Sequence, residues 1–218
     1  KTSLGKIEIK KFACQETYVR VRESIRGQEV YLFQSCTHNV NEELMELFLM
    51  CSAMKMSFAK KVHVVMPHFG YARQDRISLP RETISAKLVA DLLVQSGADH
   101  VVTFNLHSDQ IQGFFDIPTD NLYAVKDFEK RIREIHNGDV QNLTVVSPDV
   151  GGVVRARALA KRLDDRRLAI VDKRRDGPGK SQVMNIIGDI KDQHCLIFDD
   201  IVDSGGTLCN AAEALMEK

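Results

Sequence analysis

The sequence predicts an open α/β fold in which mostly parallel sheets are flanked by helices. Three observations carry that expectation. Short apolar runs rich in Val, Ile and Leu recur along the chain without polar alternation, as strands of a buried parallel sheet read. Amphipathic helical patterns lie between them. Polar, glycine-rich segments follow the runs directly, where ligands bind in such folds.

The apolar runs, in order, are Val30–Phe33, Val62–Met66, Val101–Phe104, Leu143–Val146, Leu168–Val171 and Cys195–Phe198. Between the first two, residues Asn41 to Ala59 place Leu44, Leu47, Phe48, Cys51 and Phe58 near one helical face. Glu42 and Glu43 stand at the N-terminal end of that helix, where the dipole favours acids. Residues Ile84 to Gln95 carry Ile84, Leu88, Leu92 and Leu93, and Gly97 is a stop signal. Val153 to Leu163 and Leu208 to Met216 complete the helices. The proline-containing stretch Ile117–Asp120 is expected to end a first series of units, and a second begins near Leu143. The expected domains are 1–122 and 123–218.

Composition excludes several classes. Of 218 residues, 44% are hydrophobic, which suffices for a buried core, and 30 basic residues balance 30 acidic ones. The net charge of zero gives no global field for nucleic acid or an anionic membrane. No apolar run approaches the roughly 20 residues that span a bilayer, and the first ten residues lack the sections of a secretory signal. Cys14, Cys36, Cys51, Cys195 and Cys209 form no C-x-x-C pair and match no zinc spacing. They read as reduced thiols of a cytoplasmic protein. The chain starts at Lys1 and stops at Lys218 within a helical pattern, as expected of a segment of a longer protein.

The most informative segment is Asp199-Asp200-Ile201-Val202-Asp203-Ser204-Gly205-Gly206-Thr207, between an apolar strand and a helix. Ser204 to Thr207 can present backbone amides and hydroxyls at a helix N-terminus, a geometry that cradles phosphate. The acids would accept hydrogen bonds from a sugar diol. A lone D-S-G-G-T could equally be an ordinary solvated turn; the full acidic run after an apolar strand argues for a sugar phosphate. A basic run, Lys173-Arg174-Arg175, lies before Gly177-Pro178-Gly179, a composition suited to a lid.

The 199–207 run resembles the loop that binds 5-phosphoribosyl 1-diphosphate (PRPP) in type I phosphoribosyltransferases and PRPP synthetases. Three further segments resemble the synthetases. They are Asn105-Leu106-His107-Ser108-Asp109-Gln110-Ile111-Gln112-Gly113-Phe114-Phe115, the run Phe69-Gly70-Tyr71-Ala72-Arg73-Gln74-Asp75-Arg76, and Ser147-Pro148-Asp149-Val150-Gly151-Gly152-Val153-Val154-Arg155-Ala156. The likeness runs from about Thr2 to Lys218. It implies two type I phosphoribosyltransferase-like domains and transfer of diphosphate from ATP to ribose 5-phosphate, in the service of nucleotide biosynthesis.

The resemblance also implies roles. His107 and Asp149 would help hold Mg2+ with the ATP phosphates. Arg73 and Gln74 would contact ATP, and Phe12 and Glu16 would line an adenine pocket. Lys173 and Arg175 match catalytic basic residues that close over the diphosphate. Asp199, Asp200, Asp203, Ser204, Gly205, Gly206 and Thr207 would bind ribose 5-phosphate. A homo-oligomer, a hexamer by family likeness, is implied, with no nucleic-acid or membrane partner. No residue stands out as a general base.

The family pattern is broken in places. Cys14-Gln15 replace the usual Asp-Gly, Asn105 replaces Asp, and Thr119 replaces an apolar residue. Residues Ile77-Ser78-Leu79-Pro80 depart from a usual basic stretch. In an extended chain positions i and i+2 share a side, so Asn105 is expected to face the same ion as His107 and to weaken its support. Two other readings stay open at this point: a weakly active regulatory homologue, which these departures favour, and a phosphoribosyltransferase.

Overall fold

The computed structural model describes residues 3–174 and 183–218, which form two compact units, 1–123 and 124–218. In the first unit an antiparallel hairpin of β1 (Ile7–Lys11) and β2 (Thr17–Val21) opens the chain. There follow β3 (Glu29–Phe33), α1 (Val40–Met56), β4 (Lys61–Met66), α2 (Ser85–Ser96), β5 (His100–Phe104), a 3-10 turn (Asp109–Phe114) and β6 (Thr119–Leu122). The strands β3-β4-β5-β6 form a parallel sheet in that order.

Periodicity dictates the helices. Leu44, Leu47, Met50, Cys51 and Met54 are buried along one stripe of α1, and Ser85, Ala86, Val89, Ala90 and Leu93 along one stripe of α2. Both join a core with Val62, Val64, Met66 and Val101 of the sheet, against which Ile7, Val19 and Val21 of the hairpin also pack. At the end of α2, Gly97 adopts φ 112°, a left-handed conformation in which its amide reaches the carbonyls of Leu93 and Val94.

The second unit contains α3 (Val125–Ile135), β7 (Leu143–Ser147), α4 (Val153–Arg162), β8 (Arg167–Arg174), β9 (Val183–Ile187), β10 (His194–Ile197) and α5 (Gly206–Met216). Its sheet order is β10-β7-β8-β9. The first three strands are parallel and β9 runs antiparallel to β8. Leu143 and Val145 enter one core cluster with Leu159 and Phe198, while Val146 enters another with Val171 and Ala211.

Several expectations need correction. Burial on both faces holds for β7, whose five residues are all buried. It fails for β3 to β5, where buried and more exposed residues alternate; Tyr31 and Phe33 are 67% and 72% exposed. In this unit one sheet face packs on the helices and the other does not. The Ile117–Asp120 stretch does not end the strands, because Thr119–Leu122 forms β6 beside β5. Pro118 lends its carbonyl to the Val101 amide just before that strand starts, a position where a missing N–H costs no ladder bond. Helix α5 starts at Gly206, two residues before Leu208.

Candidate functional site

In the first unit, Phe12 and Glu16 sit together on the hairpin tip. The Phe12 amide donates to the Glu16 carbonyl (2.9 Å) and the Gln15 amide to the Phe12 carbonyl (2.9 Å). Gln15 takes φ 72°, the left-handed position of a type I turn followed by a bulge, which glycine fills at no steric cost. Phe12 is half exposed and meets Tyr18 edge to face, with ring centroids 5.9 Å apart.

The turn after β4 carries Arg73 and Gln74, both exposed. The Gln74 side-chain carbonyl accepts from the Ser85 hydroxyl (2.6 Å) and its backbone carbonyl from the Ala86 amide (3.1 Å). These bonds tie the turn to the start of α2. From below, the buried rings of Phe69 and Phe115 meet edge to face at 5.5 Å. That contact joins this segment to the 3-10 turn that follows His107.

His107 is exposed on the loop after β5. Asn121 braces this loop: its Oδ1 accepts from the Leu106 amide (3.1 Å) and its Nδ2 donates to Asp109 Oδ1 (3.1 Å). The Tyr123 hydroxyl donates to the same Asp109 oxygen (2.8 Å), and burial together with that carboxylate pushes the phenol pKa up. Asn105 has φ 53°, so the chain is not extended there and the alternation argument fails. Asn is among the few residues that adopt this conformation readily. Its amide donates to the Leu122 carbonyl (2.8 Å), closing the turn after the strand.

In the second unit, the turn between β7 and α4 holds Asp149. Its Oδ1 accepts from the Gly152 amide (2.9 Å), and its carbonyl accepts from the Ser147 hydroxyl (2.7 Å). Asp199 and Asp200 lie past the end of β10, with side chains 14% and 6% exposed. The Asp200 amide donates to Asp199 Oδ1 (2.9 Å). Arg155 of α4 reaches Asp200 Oδ1 at 3.0 Å and Asp199 Oδ1 at 4.0 Å. Burial, then the hydrogen bond and charge of Asp200 and the charge of Asp149, push the Asp199 carboxyl up to about 6.

Asp203, Ser204, Gly206 and Thr207 are exposed around the start of α5, and Gly205 is its N-cap at φ 76°. The first backbone bond of the helix runs from the Cys209 amide to the Gly205 carbonyl (3.0 Å). The amides of Gly206, Thr207 and Leu208 therefore have no intrahelical acceptor, and the positive end of the helix dipole lies there. A Cβ on Gly205 would meet nothing within 4 Å, so the positive φ and not crowding requires glycine.

Lys173 comes after the apolar run Leu168–Val171, yet it does not lie past the strand; its backbone lies within β8, opposite Met184 of β9. Its side chain, and Arg175 entirely, lie outside the described residues. The structure thus brings Asp149, Asp199 and Asp200 into one electrostatic cluster, and Phe12 beside Glu16. His107 and Asp149 belong to different units. Sequence reasoning missed Arg155, although it stands inside the Ser147–Ala156 run, and missed the bracing by Asn121. Of the thiols, Cys36 and Cys51 are buried and pushed up to about 11 by burial, while Cys14, Cys195 and Cys209 are exposed; all five are free.

Residues 1–97 match the model of the N-terminal domain of ribose phosphate pyrophosphokinase, and residues 118–218 match that of the phosphoribosyl transferase domain. The chain is 58% identical over 214 residues to the ribose-phosphate pyrophosphokinase of Rhizobium meliloti (strain 1021), covering 98% of this chain and 68% of that protein. The chain belongs to the ribose-phosphate pyrophosphokinase family. Another member, from Agrobacterium fabrum, is 57% identical over 99% of this chain and 68% of its own length. The crystal structure of phosphoribosylpyrophosphate synthetase from Mycobacterium smegmatis superposes with a TM-score of 0.92 at 40% identity, covering 99% of this chain and 69% of that one. Both units are therefore of the phosphoribosyltransferase type expected from the sequence. Membership favours the pyrophosphokinase reading over the regulatory homologue and the phosphoribosyltransferase. Among the described residues no helix is long and apolar enough to cross a membrane.

Proposed function

We propose that this protein transfers the diphosphate of ATP to ribose 5-phosphate, giving 5-phosphoribosyl 1-diphosphate and AMP. The observation that carries the site assignment is the acidic pair past β10, next to a glycine-capped helix N-terminus. A sugar phosphate needs both: amides for the phosphate and carboxylates for the ring hydroxyls.

The amides of residues 205–207, with Ser204 and Thr207 hydroxyls and Asp203 at the rim, would hold the 5-phosphate. Asp199 and Asp200 would accept from the ring hydroxyls and so aim the anomeric oxygen. That oxygen attacks the β-phosphorus of ATP and forms a new P–O bond. The bond from the β-phosphorus to the α,β-bridging oxygen breaks, AMP leaves, and the hydroxyl proton passes to solvent. Such chemistry is mostly positioning and charge stabilisation. Arg73 and Gln74 would contact ATP, with Phe12 and Glu16 against the adenine. Lys173 and Arg175 would offset charge on the moving diphosphate.

Magnesium is the metal this reading calls for. Among the described residues no group of three or more His, Cys, Asp or Glu forms a cage for an ion. Magnesium takes one or two protein ligands and completes its shell with substrate phosphates and water. His107 and Asp149 would each lend one ligand. When bound, the ion would neutralise charge on the ATP phosphates. By the same reading the protein is a cytoplasmic homo-oligomer, a hexamer.

The test is AMP release from ATP in the full-length protein, with and without ribose 5-phosphate. AMP formed only when the sugar phosphate is present, with PRPP in equal amount, is the expected result. ATP left intact under those conditions would overturn the assignment.

A further inference from the structure

Resting on that reading of Asp199 and Asp200, we infer that Arg155 is a positioning residue for ribose 5-phosphate: it holds Asp200 fixed as an acceptor for the sugar hydroxyls. Arg155 is the third residue of α4, whose first turn contains no acid. A cation at the positive end of a helix is disfavoured by the dipole, so helix stability does not explain it. The Arg155 side chain is 21% exposed and lies against two carboxylates that are more buried still. Adjacent buried carboxylates repel, and a neighbouring guanidinium relieves that repulsion.

The geometry is unequal, at 3.0 Å to Asp200 and 4.0 Å to Asp199. Arg155 therefore settles chiefly on Asp200 and leaves Asp199 more strongly under the influence of its acidic neighbours. The turn beneath it is tight: a Cβ on Gly152 would come within 2.9 Å of Ser147 Oγ, and 3.9 Å from Arg155 Nη1. A guanidinium on a helix and two acids past a strand are thus locked at one end of the sheet, before any sugar arrives. A diol acid that is loose would lose its hydrogen bond to the sugar.

Calorimetric titration of ribose 5-phosphate into the full-length protein, without ATP or magnesium, tests this on wild type, Arg155→Met and Arg155→Lys. Methionine is expected to weaken sugar-phosphate affinity at least about tenfold, a loss of about 1.4 kcal/mol. Lysine is expected to restore part of it, because an ammonium reaches Asp200 without the planar fork. ATP affinity should not change, and the KM for ribose 5-phosphate should rise more than kcat falls. Sugar-phosphate affinity of Arg155→Met within twofold of wild type would overturn the inference. Should that variant not fold, Arg155→Gln takes its place under the same threshold. Wild type that fails to bind ribose 5-phosphate would instead sink the functional reading itself.

Discussion

Asp199 and Asp200 put two carboxylates side by side past β10, and burial with that neighbour holds the Asp199 carboxyl up to about 6. A raised carboxyl binds its proton more tightly in the folded chain than in the unfolded one. Its contribution is thus fully present below the ordinary value of 3.8 and is lost as pH rises through about 6. Asparagine has no such loss. Asp199→Asn should therefore melt a few degrees higher than wild type at pH 7.5, with the advantage fading toward pH 4. The same change should weaken ribose 5-phosphate binding, since activity and stability pull apart at such sites. Melting curves from pH 4 to 8 read the first effect; identical midpoints at pH 7.5 would contradict it. Backbone angles also speak at this scale. The family's glycine at position 15 has a reason in the left-handed φ of 72°, and Gln15 occupies that conformation with a Cβ. At Asn105 the positive φ gives an account of the residue that needs no metal.

At the scale of elements, β8 is longer than its apolar run suggests, because pairing with β9 carries it on to Arg174. Backbone pairing does not depend on the nature of the Lys173 side chain. Lys173→Ala is thus expected to lower turnover by about a hundredfold or more, the scale for losing one donor to transition-state charge, while the thermal midpoint barely moves. Turnover near wild type would remove Lys173 from the chemistry. The same element shows what a sequence hides. The six apolar runs became β3, β4, β5, β7, β8 and β10, because short runs rich in Val, Ile and Leu between turn signals read as strands whether one face or both are buried. The β1–β2 hairpin went unread, since its tip lacks the Gly or Asn that marks a turn. Helix α3 also went unread, although Val125, Phe128, Ile132 and Ile135 keep helical spacing amid its many charges. Strand β9 escaped because its apolar run lies past the basic, glycine-rich segment and reverses direction.

For the molecule as a whole, each unit has its own apolar packing, and Arg73, Gln74, His107, Asp149 and the 199–207 run follow the carboxyl ends of parallel strands, while Phe12 and Glu16 stand on the hairpin and Lys173 within β8. That placement was legible from motifs standing directly after apolar runs. What was not legible is which polar groups meet across elements: Arg155 with Asp200, and Asn121 with the His107 loop. Such pairs depend on sheet order and helix rotation, which short-range patterns do not encode. Sheet order has one more consequence. Strand β7 lies between β10 and β8, buried on both faces, with cores on either side. Its ladder amides are reached by water only when a neighbouring strand leaves. In deuterated solvent the amide hydrogens of 143–147 should therefore be the last of the second unit to exchange, at a rate governed by the opening of that whole unit rather than by fraying at an edge.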